Sequence, residues 1–237
     1  MPYFNGMNMQ SIEPPENPGD LDDPVYNPPN DPIVILYQDD DLLVVDKPSG
    51  LLHVAGRDPR LWDCLDLRVK KLFPKASIIH RLDRDTSGVV VMGLNKRAHA
   101  FVAAQFENKT ARKTYVARVW GVMEGEGGHI DLPLASDVEN KPRHRVDFEN
   151  GRPAQTDWEV IGREDNATRV RLFPRTGRTH QLRVHMRAIG HPMLGDVFYA
   201  DGDALAAADR LQLHAEELRF VHPSTGQECT FIAECPF

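Results

Sequence analysis

His80-Arg81-Leu82-Asp83-Arg84-Asp85-Thr86-Ser87-Gly88 runs without a break into Val89-Val90-Val91-Met92. Nine residues bring together two arginines, a histidine, two carboxylates and two hydroxyls, and the next four are apolar and mostly β-branched. That order predicts a charged turn feeding a strand, because branched side chains favour the extended backbone. A carboxylate flanked by cations on a loop between strands has two readings. It is a nucleophile or acid–base group, or it is one half of a salt-bridged turn. The segment alone leaves both open.

Upstream, Ile33-Val34-Ile35-Leu36-Tyr37 and Leu42-Leu43-Val44-Val45 flank the acidic turn Asp39-Asp40-Asp41, which predicts a hairpin, and Lys47-Pro48-Ser49-Gly50 closes it with turn chemistry. Leu61, Cys64, Leu65, Val69 and Leu72 recur at helical spacing, with Pro74 just past the end. Downstream, a helix is predicted from Lys96 to Asn108, capped by Asn95, with Ala98, Phe101, Val102 and Phe106 turned inward. Strands are predicted at Thr114–Val119, at Thr156–Val160 and around Val170 and Leu172. Gly125-Glu126-Gly127-Gly128 reads as a loop. A last helix is predicted over Thr179–Ile189, with Thr179 as its cap and Gly190 as its stop. Leu211–His214 and Thr230–Ile232 return to strand character. Strands dominate and helices are scattered, so the predicted class is α+β, a mixed, mainly antiparallel sheet flanked by helices.

The chain of 237 residues is 41% hydrophobic and 27% charged, an ordinary globular balance. No apolar run approaches the roughly 18–20 residues that span a bilayer, and the N-terminus lacks the basic and apolar regions of a secretory signal. Cys64, Cys229 and Cys235 form no C-x-x-C pattern and suit a reducing compartment, so a cytoplasmic protein is expected. The net charge of -7 hides an asymmetry. Residues 1–46 carry ten acidic side chains and no lysine or arginine, leaving 25 acidic against 28 basic residues from Lys47 onward. A mildly basic body is compatible with a polyanionic ligand. Residues 1–32 also hold eight of the eighteen prolines. The expected organisation is therefore a disordered acidic, proline-rich tail over 1–30 and one domain over 31–237.

Two further groups of residues stand out. Arg112-Lys113-Thr114-Tyr115 leads two cations to a tyrosine on a strand. Arg175-Thr176-Gly177-Arg178-Thr179-His180-Gln181-Leu182-Arg183-Val184-His185 crowds donors at a helix N-terminus, which reads either as an anion site or as a solvated basic face. His180, His185 and His191 do not share a helical face, and no phosphate-loop or dinucleotide fingerprint occurs. Chemistry without metal or cofactor is expected.

Taken together, His80-Arg81-Leu82-Asp83 with Thr86-Ser87-Gly88 resembles the signature of the RluA-type pseudouridine synthases. The resemblance runs from about Tyr26 to Phe237 and includes Asp46-Lys47-Pro48-Ser49-Gly50-Leu51, Lys113-Thr114-Tyr115-Val116-Ala117, Arg152-Pro153-Ala154-Gln155-Thr156, Gly177–His185 and Gly190-His191-Pro192. It is strongest to the short subgroup without an S4 RNA-binding domain, whose activity covers both 23S rRNA and tRNA. The resemblance implies that Asp83 is the catalytic aspartate, Tyr115 the tyrosine that packs on the target base, and Arg183 the basic residue that pairs with the aspartate. It implies that Arg81 fills the space left by a flipped uridine. His80, Thr86, Arg112, Lys113, Arg143, Arg178, Thr179, His180 and Gln181 are the further expected RNA contacts. A monomer acting on rRNA and tRNA stem-loops follows from the same comparison. Two rivals are a glycosidase-like hydrolase using Asp83 and Asp85 as paired carboxylates, and an RNA-binding module without turnover.

Overall fold

The computed structural model describes the backbone of Ser11–Ile12 and all of residues 26–237. Thirteen strands and four α-helices follow one another among these residues. The first part holds β1 (Ser11–Ile12), β2 (Ile33–Gln38), β3 (Leu42–Lys47), α1 (Leu65–Leu72), β4 (Ser77–Ile78), β5 (Ser87–Gly93) and α2 (Lys96–Glu107). The middle holds β6 (Arg112–Trp120), β7 (Gly127–Asp131), β8 (Leu134–Ser136), β9 (His144–Val146), β10 (Gln155–Arg163), β11 (Ala167–Pro174), α3 (Gln181–Ala188) and α4 (Gly202–Ala206). Strands β12 (Leu213–Val221) and β13 (Glu228–Ile232) close the chain. The class is α+β, with a mostly antiparallel sheet and a few helices, as the strand content predicts.

Two compact units divide these elements. Unit 1 spans residues up to Arg112 and Ala215–Pro236, and unit 2 spans Lys113–His214 with Phe237. In unit 1 the strand order is β1-β2-β3-β5-β12, with β4 also on β5 and β13 also on β12. Val44 faces Val91 and Val45 faces Val90 in the antiparallel β3–β5 pair. Every residue of β5 is buried, as its unbroken apolar run requires of a strand covered on both faces. Gly88 begins this strand with φ 116°, and a Cβ there would fall 2.2 Å from the Ala215 carbonyl oxygen, so only glycine fits. The core of this unit joins Leu42, Val44, Val89, Val91, Ala98, Val102, Leu218 and Phe220.

Unit 2 is built on the antiparallel order β6-β11-β10-β7, with β8 and β9 as a separate hairpin. Val170 and Leu172 point into the core while Arg169 and Arg171 alternate outward, the period-2 pattern of a half-buried strand. Met186 and Leu182 of α3 pack with Ala117, Val119, Met193 and Leu213.

Several boundaries differ from expectation for identifiable reasons. Helix α1 starts at Leu65 rather than Leu61, because Pro59–Leu61 forms a separate 3-10 turn and Cys64 is the extended cap residue. Leu72, expected inside, is 60% exposed. Asn95 caps α2 as predicted, its Oδ1 accepting the Ala98 N–H at 2.9 Å. Phe101, however, is 42% exposed. Ala98, Val102 and Phe106 follow i, i+4 spacing, and Phe101 lies about 100° around the helix from Val102. Gly127 and Gly128, expected in a loop, begin β7 through their pairing with Glu159 and Trp158. The expected tail lies mostly outside the described residues. Within it Ser11–Ile12 pairs with β2, and Tyr26 and Pro28 are buried. The Tyr26 hydroxyl donates to the Asp63 carbonyl at 2.6 Å and accepts the Leu52 N–H at 2.9 Å, so packed chain reaches back to Tyr26 rather than starting at residue 31.

Candidate active site

In unit 1 the turn before β5 is held by the segment Lys47–His53. Lys47, with no exposed surface, donates from Nζ at 2.8 Å to the carbonyls of Pro48, Leu51 and Arg84. The Gly50 N–H donates to the same Arg84 oxygen at 3.0 Å, and Ser49 Oγ donates to the Asp85 carbonyl at 2.7 Å. The Leu82 N–H donates to His53 Nδ1 at 3.2 Å. The Thr86 N–H closes the turn on the Asp83 carbonyl at 3.2 Å. The bonds to Leu82, Arg84 and Asp85 end on the main chain of the turn, so they fix the backbone on both sides of Asp83 without using the Asp83 carboxylate. The sequence reading took Lys47-Pro48-Ser49-Gly50 for a simple hairpin terminator. A lysine between a strand and a proline carries no local sign that it will be engulfed.

Asp83 itself is half-buried. Asp85 is committed elsewhere: Arg84 donates to both of its oxygens, at 2.7 and 3.1 Å. That ion pair engages the Asp85 carboxylate within the turn itself. Arg81 is exposed. Arg112, at the start of β6, is exposed as well. His80 and Thr86 serve the fold: Thr86 is buried, and His80 Nε2 accepts the Val91 N–H at 3.1 Å while its ring stacks on Phe106 at 4.6 Å.

Unit 2 carries Tyr115 and Arg183. Tyr115 lies on β6 opposite Leu172 and packs half-buried against the core. Arg183 is 1% exposed and grips the fully buried Asp196 through two bonds, Nε to Oδ2 at 2.8 Å and Nη2 to Oδ1 at 2.6 Å. The Phe198 and Tyr199 N–H groups donate to the same Asp196 at 3.0 and 3.2 Å. Both rings then lie against the guanidinium, with centroids 5.2 and 5.1 Å from its carbon. A buried guanidinium needs such company, since desolvating an unpaired cation is costly. Asp196 was missed in the sequence, where only Asp83 was considered as a partner of Arg183. Thirteen residues and a Gly turn separate it from Arg183, and no motif spacing links the two.

The segment before α3 is organised by Gln181 rather than by Thr179. The Gln181 Oε1 accepts the Arg178 N–H at 3.0 Å and the Thr176 hydroxyl at 2.7 Å, and Nε2 donates to the Gln155 carbonyl and to Thr156 Oγ1. Thr156 passes the chain on to His185 Nδ1, whose Nε2 donates to the Leu132 carbonyl. Burial holds the His185 pKa below its ordinary value, in keeping with a neutral ring. Gln181 is thus a buried brace. The helix cap is His180 in the left-handed region, with φ 56°. Its Nδ1 takes the proton of the Tyr199 hydroxyl at 2.6 Å, and that hydroxyl accepts the His144 N–H of the β8–β9 hairpin at 2.8 Å.

The other expected contacts in this unit are Thr179, Arg178, Arg143 and Lys113. Thr179 is exposed, Arg178 donates from Nε to the Pro153 carbonyl at 3.1 Å, and Arg143 lies in the hairpin turn. Lys113 Nζ lies beside Gly177, 3.9 Å from where its Cβ would be, an ordinary van der Waals distance. Burial lowers the pKa of Lys113, and burial followed by the nearby Arg152 lowers that of Arg178. Among the described residues no group of three His, Cys, Asp or Glu could hold a metal ion, and no helix is long and apolar enough to cross a membrane.

The class of this mainly antiparallel α+β chain follows from its likeness to known proteins. Residues 41–188 match the family model described as RNA pseudouridylate synthase. The chain is 51% identical over 214 residues to the dual-specificity RNA pseudouridine synthase RluA of Escherichia coli (strain K12), covering 90% of this chain and 98% of that protein. The protein of the same name from Vibrio vulnificus (strain CMCP6) is 47% identical over 218 residues, covering 90% and 87%. The solved structure of Human RNA Pseudouridylate Synthase Domain Containing 1 matches with a TM-score of 0.74 at 30% identity, covering 86% of this chain and 84% of that one. The chain belongs to the RNA pseudouridylate synthase family. It is an isomerase that makes pseudouridine in RNA.

Proposed function

We propose that the chain isomerises uridines in stem-loops of both 23S rRNA and tRNA, with Asp83, Tyr115 and Arg183 as its catalytic residues. The observation that carries the residue assignment is the turn at Asp83: its backbone is braced while the neighbouring charges Arg84 and Asp85 satisfy each other. Dual specificity is supported by the names of relatives that match nearly their whole length at about half identity.

The reaction breaks the N1–C1′ bond, turns the uracil and joins C5 to C1′, and as C5 loses its proton N1 gains one, so the product is an isomer. A stacked nucleotide hides that bond, so the base must leave the stack at a cost of a few kcal/mol. Exposed Arg81 enters the vacated stack and offsets part of that cost. Asp83, as an anion, meets the positive charge that develops at C1′. Tyr115 offers the uracil a flat face and a hydroxyl. Arg183, held by Asp196, supplies the basic residue of the proposed set. Arg112, Lys113, Arg143 and Arg178 contact phosphates, which makes binding weaken with salt. The protein works as a cytoplasmic monomer without metal or cofactor.

The test is primer extension after carbodiimide treatment on 23S rRNA and tRNA substrates. Asp83→Asn should abolish the pseudouridine stops in both, while RNA affinity changes less than about threefold. Undiminished activity would overturn the Asp83 assignment, and stops confined to one RNA in the parent enzyme would overturn dual specificity.

A further inference from the structure

We infer that His53 is a positioning residue for the isomerisation: its Nδ1 holds the Leu82 N–H and so sets the backbone from which Asp83 projects. The inference rests on the assignment of Asp83 proposed above. His53 lies in a loop that the reaction chemistry does not otherwise use. Its main-chain oxygen accepts the Asp66 N–H of the first turn of α1 at 3.1 Å, so the residue is anchored from behind. Its ring is 3% exposed, and its Nδ1 accepts the N–H of the residue directly before Asp83 at 3.2 Å.

Two observations mark the ring as more than core filling. An imidazole that accepts at Nδ1 must carry its proton at Nε2, and this buried Nε2 has no hydrogen-bond partner. A side chain chosen only for packing would not leave a buried polar atom unsatisfied. The position also sits in a cationic neighbourhood: burial first, then His80, Lys47 and Arg81, push its pKa down to about 2. A neutral acceptor is the one form of this residue that tolerates those neighbours. The other supports of the turn, from Lys47, Gly50 and Ser49, all grip the chain after Asp83, at the carbonyls of Arg84 and Asp85. His53 alone, among these bonds, holds the chain before it. The next anchor on that side is His80, whose ring is held by Val91 and Phe106, so without His53 the backbone between His80 and Asp83 loses its support directly beside the carboxylate. A misplacement of this kind lowers turnover and leaves RNA affinity in place, because no phosphate contact involves His53.

The experiment compares His53→Leu, which fills the space without an acceptor, with His53→Asn, whose Oδ1 can take the place of Nδ1. Steady-state kinetics on an anticodon stem-loop transcript should show kcat reduced at least tenfold in His53→Leu, with KM within about twofold of the parent. His53→Asn should recover kcat to within about threefold. Circular dichroism establishes that each variant is folded; if His53→Leu is not, His53→Ala carries the same comparison. A fully active His53→Leu enzyme, a loss confined to KM, or an asparagine variant no better than the leucine variant overturns the inference. Asp83→Asn is measured beside them. If it is inactive while His53→Leu is fully active, only the His53 inference falls; if it is active, the Asp83 assignment falls, and this inference with it.

Discussion

The turn at Asp83 and the surroundings of Arg183 solve opposite problems. In unit 1 a carboxylate is to be presented, and the scaffold grips main-chain atoms on either side of it: Leu82 N–H, Arg84 oxygen and Asp85 oxygen. In unit 2 a guanidinium is to be kept inside the protein, and the scaffold grips the side chain itself through Asp196, Phe198 and Tyr199. A half-buried anion keeps part of its hydration and needs only a fixed backbone. A fully buried cation has lost its water and is tolerable only with a matched counter-charge and filled hydrogen bonds. The difference teaches where each unit is fragile. Unit 1 fails by looseness, and unit 2 fails by an unpaired charge.

The strongest way to break this contrast is Asp196→Ala. It strands the Arg183 charge and the Phe198 and Tyr199 N–H groups, so urea unfolding should show a loss of about 3–5 kcal/mol. A loss below about 1 kcal/mol would mean that the ion pair does not hold Arg183. Lys47→Met comes next. It leaves the carbonyls of Pro48, Leu51 and Arg84 without this donor, but it also removes a charge whose burial was itself unfavourable. A loss of about 1–3 kcal/mol is expected, with kcat falling further than stability alone explains. Equal kcat in Lys47→Met and parent would show that the turn needs no brace.

The smallest effect is in pH. His53 is pushed from its ordinary value of 6.5 to about 2, and burial moves His185 in the same direction. The unfolded chain therefore binds protons near pH 6.5 that the folded chain refuses. Stability from these two rings is complete above about pH 6.5 and declines as pH falls below it, for His53 by about 1.4 kcal/mol per pH unit. Urea midpoints between pH 7.5 and 5 should fall accordingly, and His53→Asn should remove one ring's share of the slope. An unchanged slope in that variant would show that His53 does not stay neutral.

What could be read early was local. The hairpin around Asp39–Asp41, the Asn95 cap and the strand after Gly88 each announce themselves within a few residues, through turn chemistry, a cap side chain or an apolar run. The family resemblance rests on the same kind of signal, short strings of residues in a fixed order. Gly127 and Gly128 show the opposite case: nothing in Gly-Glu-Gly-Gly favours a strand, and pairing with β10 imposes one. Thr179 was the better cap by composition, yet the side chain of Gln181 occupies the Arg178 N–H, and the cap passes to a left-handed His180.

By itself, then, the sequence determined which chemical groups the protein has to work with and the order in which strands and helices appear. Periodicity, caps and turn residues act over a few positions and are written along the chain. Only the tertiary structure decided which of the charged groups are spent on the fold. Asp85 is paired with Arg84, and Lys47 is taken by three carbonyls. Burial sets the cost of each charge, and burial depends on what the rest of the chain brings to that point.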